Sequence, residues 1–150
     1  DFARTMLRQA QRYLRQAGCA VDLVHGDVTR LPFAAASFDV VTHHSFLYLL
    51  SQREAALREM ARVLRPGGAY VIVDHSAVAG AGSTGAQTLH RVEESVVRAE
   101  VEAAGFRLAA SADFLRNPAD PRDWNASPRA AAEAGKRGQA DRFILKFVKP

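Results

Sequence analysis

The feature that most constrains the fold is a repeated switch along the chain between helical periodicity and short apolar runs. Phe2, Met6, Leu7, Ala10, Tyr13, Leu14 and Ala17 recur at helical spacing with Arg and Gln between them, and Gly18 ends the run. Ala20 to His25 reads as a short strand leading into Gly26-Asp27 and the punctuation Leu31-Pro32-Phe33, and Phe38 to Thr42 as a second strand. The near-continuous apolar character of that second run predicts a parallel sheet covered on both faces. A helix follows from Gln52 to Leu64, closed by Arg65-Pro66-Gly67-Gly68, then a strand over Ala69 to Val73. After a small-residue loop over 77–86, Glu93 to Ala104 is helical and Gly105 stops it; Phe106 to Leu115 and Asp141 to Val148 are two successive strands. The result is an α/β domain that closes with a hairpin-like pair, which separates it from a plain dinucleotide-binding fold. The intervening residues 116–140 form one long polar loop, a length that marks a candidate cover over a substrate.

Composition narrows the function classes. With 150 residues, 48% hydrophobic and 24% charged, the chain has the make-up of one ordinary globular core. The net charge of +4 is spread along the chain, and 17 of its 20 basic residues are Arg without a clustered run, so a nucleic-acid partner is not expected. No apolar stretch approaches the ~20 residues of a membrane span, so no membrane partner is expected either, and a cytoplasmic setting is. The single Cys19 and the absence of Cys/His ligand spacing predict neither an internal disulfide nor a metal.

In an open α/β sheet the ligand sits beyond the carboxyl ends of the strands, so the residues just after each run are the informative ones. These are Gly26-Asp27-Val28, Thr42-His43-His44-Ser45 and Asp74-His75-Ser76, with Asp1 to Leu7 standing where a preceding strand would end. Imidazole titrates near neutrality and suits proton removal, which makes His44 and His75 the candidate catalytic residues; a single His more often serves packing. His25, inside a predicted strand, is expected to be buried, and His90 stands just before the late helix. Asp27 equally suits a turn, Asp1 a helix N-cap. Phe46 and Tyr48 are candidates for stacking on a substrate, and Trp124 for anchoring the long loop.

Four motifs stand in fixed order: Asp1-x-x-x-x-Met6-Leu7, Gly26-Asp27-x-x-x-Leu31-Pro32-Phe33, Phe38-Asp39-Val40-Val41 and Arg62-x-Leu64-Arg65-Pro66-Gly67-Gly68. From Asp1 to about Phe106 the chain resembles class I S-adenosylmethionine-dependent methyltransferases, including the ubiquinone-biosynthesis type. The segments 74–76, 89–91, 115–120 and 141–143 resemble a bacterial branch of predicted methyltransferases. The resemblance implies S-adenosylmethionine as cofactor and a small molecule as methyl acceptor. It places Asp1 on the ribose hydroxyls, Phe2 on the adenine, Asp27 and the Val28 N–H on the adenine edge, and His43 at the cofactor. It implies a Rossmann-like α/β sheet ordered 3-2-1-4-5-7-6, of which residues 1–150 are a partial domain lacking the first two strands and the glycine-rich loop. A four-strand core around Val40, Val71, residues 106–115 and residues 143–147 is then expected to remain, with the first helix and strand beside it or apart, and the chain alone to bind cofactor poorly and be inactive. Gly67 and Gly68 precede a strand and do not cradle a phosphate. Two other readings are a catalytically inactive methyltransferase-like binding module and a nicotinamide-dependent oxidoreductase, which needs a Gly-x-Gly-x-x-Gly turn.

Overall fold

The computed structural model describes residues 2–150; Asp1 lies outside the described residues, as does the side chain of Phe2, so both of their expected cofactor contacts fall there. The first helix, α1 (Phe2–Gln16), forms as its spacing predicts and ends before Gly18, whose φ of 66° only glycine adopts readily. The strand expected over residues 20–25 does not form. That stretch is irregular, with Val21, Leu23 and Val24 at 60%, 37% and 49% exposure, and His25 is exposed rather than buried. The physical reason is that a strand exists only where a neighbour completes its ladder, and among the described residues no strand lies beside this one.

Four strands make the sheet: β1 (Phe38–His44), β2 (Leu64–His75), β3 (Arg107–Ala112) and β4 (Arg142–Val148), in the order β1-β2-β4-β3. β1 and β2 are parallel, joined through a short turn at Leu47–Leu49 and α2 (Arg53–Val63). β4 is antiparallel to both its neighbours, which gives the expected closing pair and the expected four-strand core. Gly68 sits where β2 starts against β1. A β-carbon there would lie 2.8 Å from the Arg65 carbonyl and 3.1 Å from that of Asp39, so the register break between Phe38 and Val40 requires glycine.

One face of the sheet carries the core. Tyr70 and Ile72 of β2 and Phe143, Leu145 and Phe147 of β4 alternate onto it and meet Ala56, Leu57 and Met60 of α2, Val97 and Val101 of α4 (Glu94–Ala103), Leu47 and Phe106. The opposite face carries Val40, 52% exposed, and half-buried Val71, Val73 and Ile144. Among the described residues the helical cover is therefore on one face, where the apolar β1 pattern predicts two. From Arg4 onward α1 is exposed or half-buried throughout and does not supply the second layer. Two short helices complete the chain, α3 (Ala86–Leu89) and α5 (Pro128–Glu133). No helix of the described residues is long and apolar enough to cross a membrane.

Candidate active site

The parallel pair β1 and β2 ends side by side, and three imidazoles gather there. Side chains alternate along a strand, so His43 faces the core while His44 and His75 share the other face. The His44 and His75 rings are 5.7 Å apart at 80°, and His90, just past α3, closes on His75 from the other side at 5.7 Å. Ser45, at the end of β1, places Oγ 3.2 Å from His75 Nδ1. Burial, with the nearby charges of His44, His90, Arg91 and Arg142, pushes the His75 pKa down to about 4. His44 and His90 are also shifted down, first by burial. All three are therefore neutral at pH 7 and can accept a proton. Beside them burial raises the Asp74 carboxyl to about 6, against hydrogen bonds from the His75 N–H and the Ser45 side chain.

A buried ion pair fixes the far wall. Arg91 and Asp120 have no side-chain exposure, and the guanidinium bonds the carboxylate at 2.8 and 3.2 Å. Arg91 also donates to the carbonyls of Ser76 and Trp124, at 3.0 Å each, and stacks under the Trp124 ring at 4.8 Å. Asp120 accepts further from the Asp141 and Arg122 N–H groups and from Trp124 Nε1. Burial raises the Asp120 pKa, but these bonds outweigh it and hold the carboxyl below its ordinary value. Asp141 in turn binds the Asn117 N–H at 2.7 Å, and Arg122 Nη2 lies 2.8 Å from its carboxylate. Residues 116–126 are thus strapped to the ends of β2 and β4, so the first part of the long loop is a fastened wall.

A loop on the other side hangs from α2. The Leu31 N–H donates to Glu59, and Arg62 donates to the carbonyls of Leu31 and Phe33 at 2.9 and 2.8 Å. This explains the Leu-Pro-Phe punctuation and carries Asp27, whose Oδ1 takes the N–H and hydroxyl of Thr29, both at 2.8 Å. Those bonds, the backbone one first, keep the Asp27 carboxyl below its usual range and ionised.

The methyltransferase domain family matches residues 1–72. Demethylmenaquinone methyltransferase of Mycolicibacterium vanbaalenii is 52% identical over 62 residues, covering 40% of this chain and 27% of that protein. The Bacillus velezensis enzyme of the same name is 36% identical over 77 residues, 51% of this chain and 33% of its own length. Over residues 1–72 the chain is similar to a methyltransferase domain. Solved structures agree on the fold: a SAM-dependent methyltransferase from Aquifex aeolicus superposes with a TM-score of 0.67 at 16% identity, over 97% of this chain and 64% of its own. The cyclase SpnF does so with a TM-score of 0.71 at 22% identity, over 96% and 62%. The matched stretches span about a third or less of the curated relatives' length.

The structure distributes the sequence candidates unevenly. His44 and His75 come together, as their strand-end positions predict. His43, expected at the cofactor, is buried on the core side, with Nδ1 2.6 Å from the Tyr70 hydroxyl and Nε2 without a partner, and burial lowers its pKa to about 4. Tyr48 is buried under Arg53, and Phe46 packs at the core edge against His43. Trp124 anchors the strap as expected. Ser45 and Asp74 stand in the strand-end runs picked out in the sequence but without a role of their own, and Arg91 and Asp120 stand in the quoted segments 89–91 and 115–120 without the pairing that gives them meaning. Among the described residues, no group of three His, Cys, Asp or Glu is placed to hold a metal.

Proposed function

We propose that this chain is the acceptor-binding and part of the cofactor-binding portion of an S-adenosylmethionine-dependent methyltransferase acting on a small molecule. The observation that carries the reading is the placement of neutral His44 and His75 together at the ends of the parallel strands, where an α/β sheet holds its ligand. The bound cofactor supplies an electrophilic methyl group on a sulfonium. Asp27 fits its adenine: the carboxylate is ionised, Oδ1 is committed to Thr29, and Oδ2 is left to accept from an exocyclic amine, with the Val28 N–H beside it. Asp1 and Phe2 retain the ribose and adenine roles of the family, and His43 supports the floor of the site from the core side rather than touching the cofactor.

Methyl transfer is chiefly alignment, with a base needed only where the acceptor carries a proton. His75, with His44 beside it, removes that proton. An imidazole whose conjugate acid lies near 4 is a weak base, so the proton it removes must itself be acidic, as in an activated phenolic or enolic hydroxyl. The relatives named above act on demethylmenaquinone by name, but the family match ends at residue 72, before His75, His90 and the strap. The acceptor is set by these walls, with residues 127–140 the remaining candidate for a cover.

Calorimetry on the full-length protein tests the cofactor assignment. Asp27→Ala is expected to weaken S-adenosylmethionine binding by about 1–3 kcal/mol, the cost of losing one buried polar contact in the complex. Affinity equal to that of the wild type would remove Asp27 from the site. A second reading, a methyltransferase-like fold without methyl transfer, is favoured by the likeness to the cyclase SpnF. Transfer of labelled methyl to any small-molecule acceptor excludes it.

A further inference from the structure

Asp74 is the last residue but one of β2, and alternation along the strand puts it on the face of Tyr70 and Ile72, opposite His75. It is 4% exposed, and its Oδ1 accepts the His75 N–H at 2.7 Å. Among the described residues no basic side chain forms an ion pair with it. The groups around it are Tyr48 from the turn at Leu47–Leu49, Tyr70 from its own strand, and Ser45, His90 and Arg91 about a small cavity. Arg91 is committed to Asp120, and Arg142 is paired across the sheet with His75, on the other face. Burial raises the Asp74 carboxyl to about 6, so at pH 7 it is ionised with no cation beside it. A buried charge in that condition costs stability, and such groups gather at functional sites.

The cavity that Asp74 lines with Ser45, Leu49, Ala86, His90 and Val92 measures about 10 Å³, room for one water-sized group. Ser45 and His90 also meet His75, through the hydroxyl at 3.2 Å and the ring at 5.7 Å, so the niche and the imidazole border one crevice. Both residues hold left-handed backbone, with φ of 49° and 56°, a conformation that residues with a β-carbon avoid except where the site demands it. We propose that this niche receives a protonated amine of the methyl acceptor, with Asp74 as its counter-ion and specificity residue, while His75 addresses the acceptor's hydroxyl. An ammonium group supplies the positive charge that Asp74 lacks and fits the volume with its single heavy atom. A carboxylate or phosphate meets like charge and is too large, and a neutral hydroxyl fits but leaves the charge unanswered. The proposal rests on the methyl-transfer reading above and narrows the acceptor to an amine-bearing phenol or enol.

Methylammonium chloride is the probe, added to the 150-residue chain with NMR of the Asp carboxyl carbons as the readout. Against sodium chloride at equal ionic strength, it is expected to lower the Asp74 titration midpoint by about one unit, a tenfold change in proton affinity, because a bound cation favours the carboxylate. Tetramethylammonium has the charge but no N–H and overfills the niche, and methanol has the donor without the charge; neither should move the midpoint. Asp74→Asn should abolish the shifts that methylammonium induces in the Ala86 and Val92 amides. It should also raise the urea midpoint at neutral pH, since the amide oxygen still accepts the His75 N–H while the unanswered charge is gone. A carboxylate kept for structure predicts the reverse. In the full-length protein, Asp74→Asn should erase an about 10-fold preference in kcat/KM for an amine-bearing over an amine-free phenol. No effect of methylammonium, an equal effect of tetramethylammonium or methanol, or a lower urea midpoint in Asp74→Asn overturns the ammonium niche. Normal methylammonium binding by a full-length protein that transfers no methyl group instead overturns the methyl-transfer reading, so the two failures are distinguishable.

Discussion

Arg91 is fully buried, doubly bonded to Asp120, bonded to two carbonyls and stacked on Trp124. A buried pair of this kind contributes little net stability against apolar replacements, but removing one partner strands a charge and is costly. Arg91→Met is expected to destabilise the chain by about 3–5 kcal/mol in urea unfolding, and a loss below about 1 kcal/mol would show that the strap is not held by this pair. The double variant Arg91→Met/Asp120→Leu should recover part of the loss. This arrangement was illegible in the sequence. Arg91 and Asp120 are 29 positions apart, and nothing in either neighbourhood says that one charge answers the other. His44 and His75 were legible because a rule about strand ends picks them out one at a time.

At the level of elements, α2, α4, β2 and β4 were readable from their periodicity, and Gly105 stops α4 as expected; Gly67-Gly68, expected to close α2, lie inside β2, which begins at Leu64 rather than Ala69 because the chain is already extended where α2 ends. The apolar run over residues 20–25 failed because strand propensity is realised only through a neighbour, and the local sequence cannot announce whether one is present. Gly68 is the point where the element-level reading becomes testable. A β-carbon there meets the Arg65 and Asp39 carbonyls, which are backbone and cannot swing away. Gly68→Ala should therefore cost about 1–3 kcal/mol and loosen amide-exchange protection first at the start of β2, where it meets β1. Unchanged protection there would mean that the register break relaxes without effect.

For the whole molecule, the buried titrating groups set an acid limit. His43 and His75 lie near 4 when folded and near 6.5 when unfolded, so between those values the unfolded chain binds more protons and stability falls as pH drops from 6.5 toward 4. Asp74, near 6 when folded and 3.8 when unfolded, works the other way, because the folded chain holds the extra proton in that window and gains stability as pH falls. Two imidazoles outweigh one carboxyl, so these three groups by themselves give a net loss of about 3 kcal/mol on going from pH 7 to 4. His43→Gln should flatten that dependence, read as urea midpoints at pH 7 and 4.5; an equal slope in the variant would mean that His43 is not held neutral by burial.

The chemistry of the crevice is tested most directly by the full-length protein's turnover with labelled S-adenosylmethionine and a phenolic or enolic acceptor, wild type against His75→Gln. The predicted result is a kcat lower by about 10²-fold with cofactor affinity retained, because proton removal is lost while binding is not. Equal turnover in the two proteins would contradict it and return His75 to a packing role.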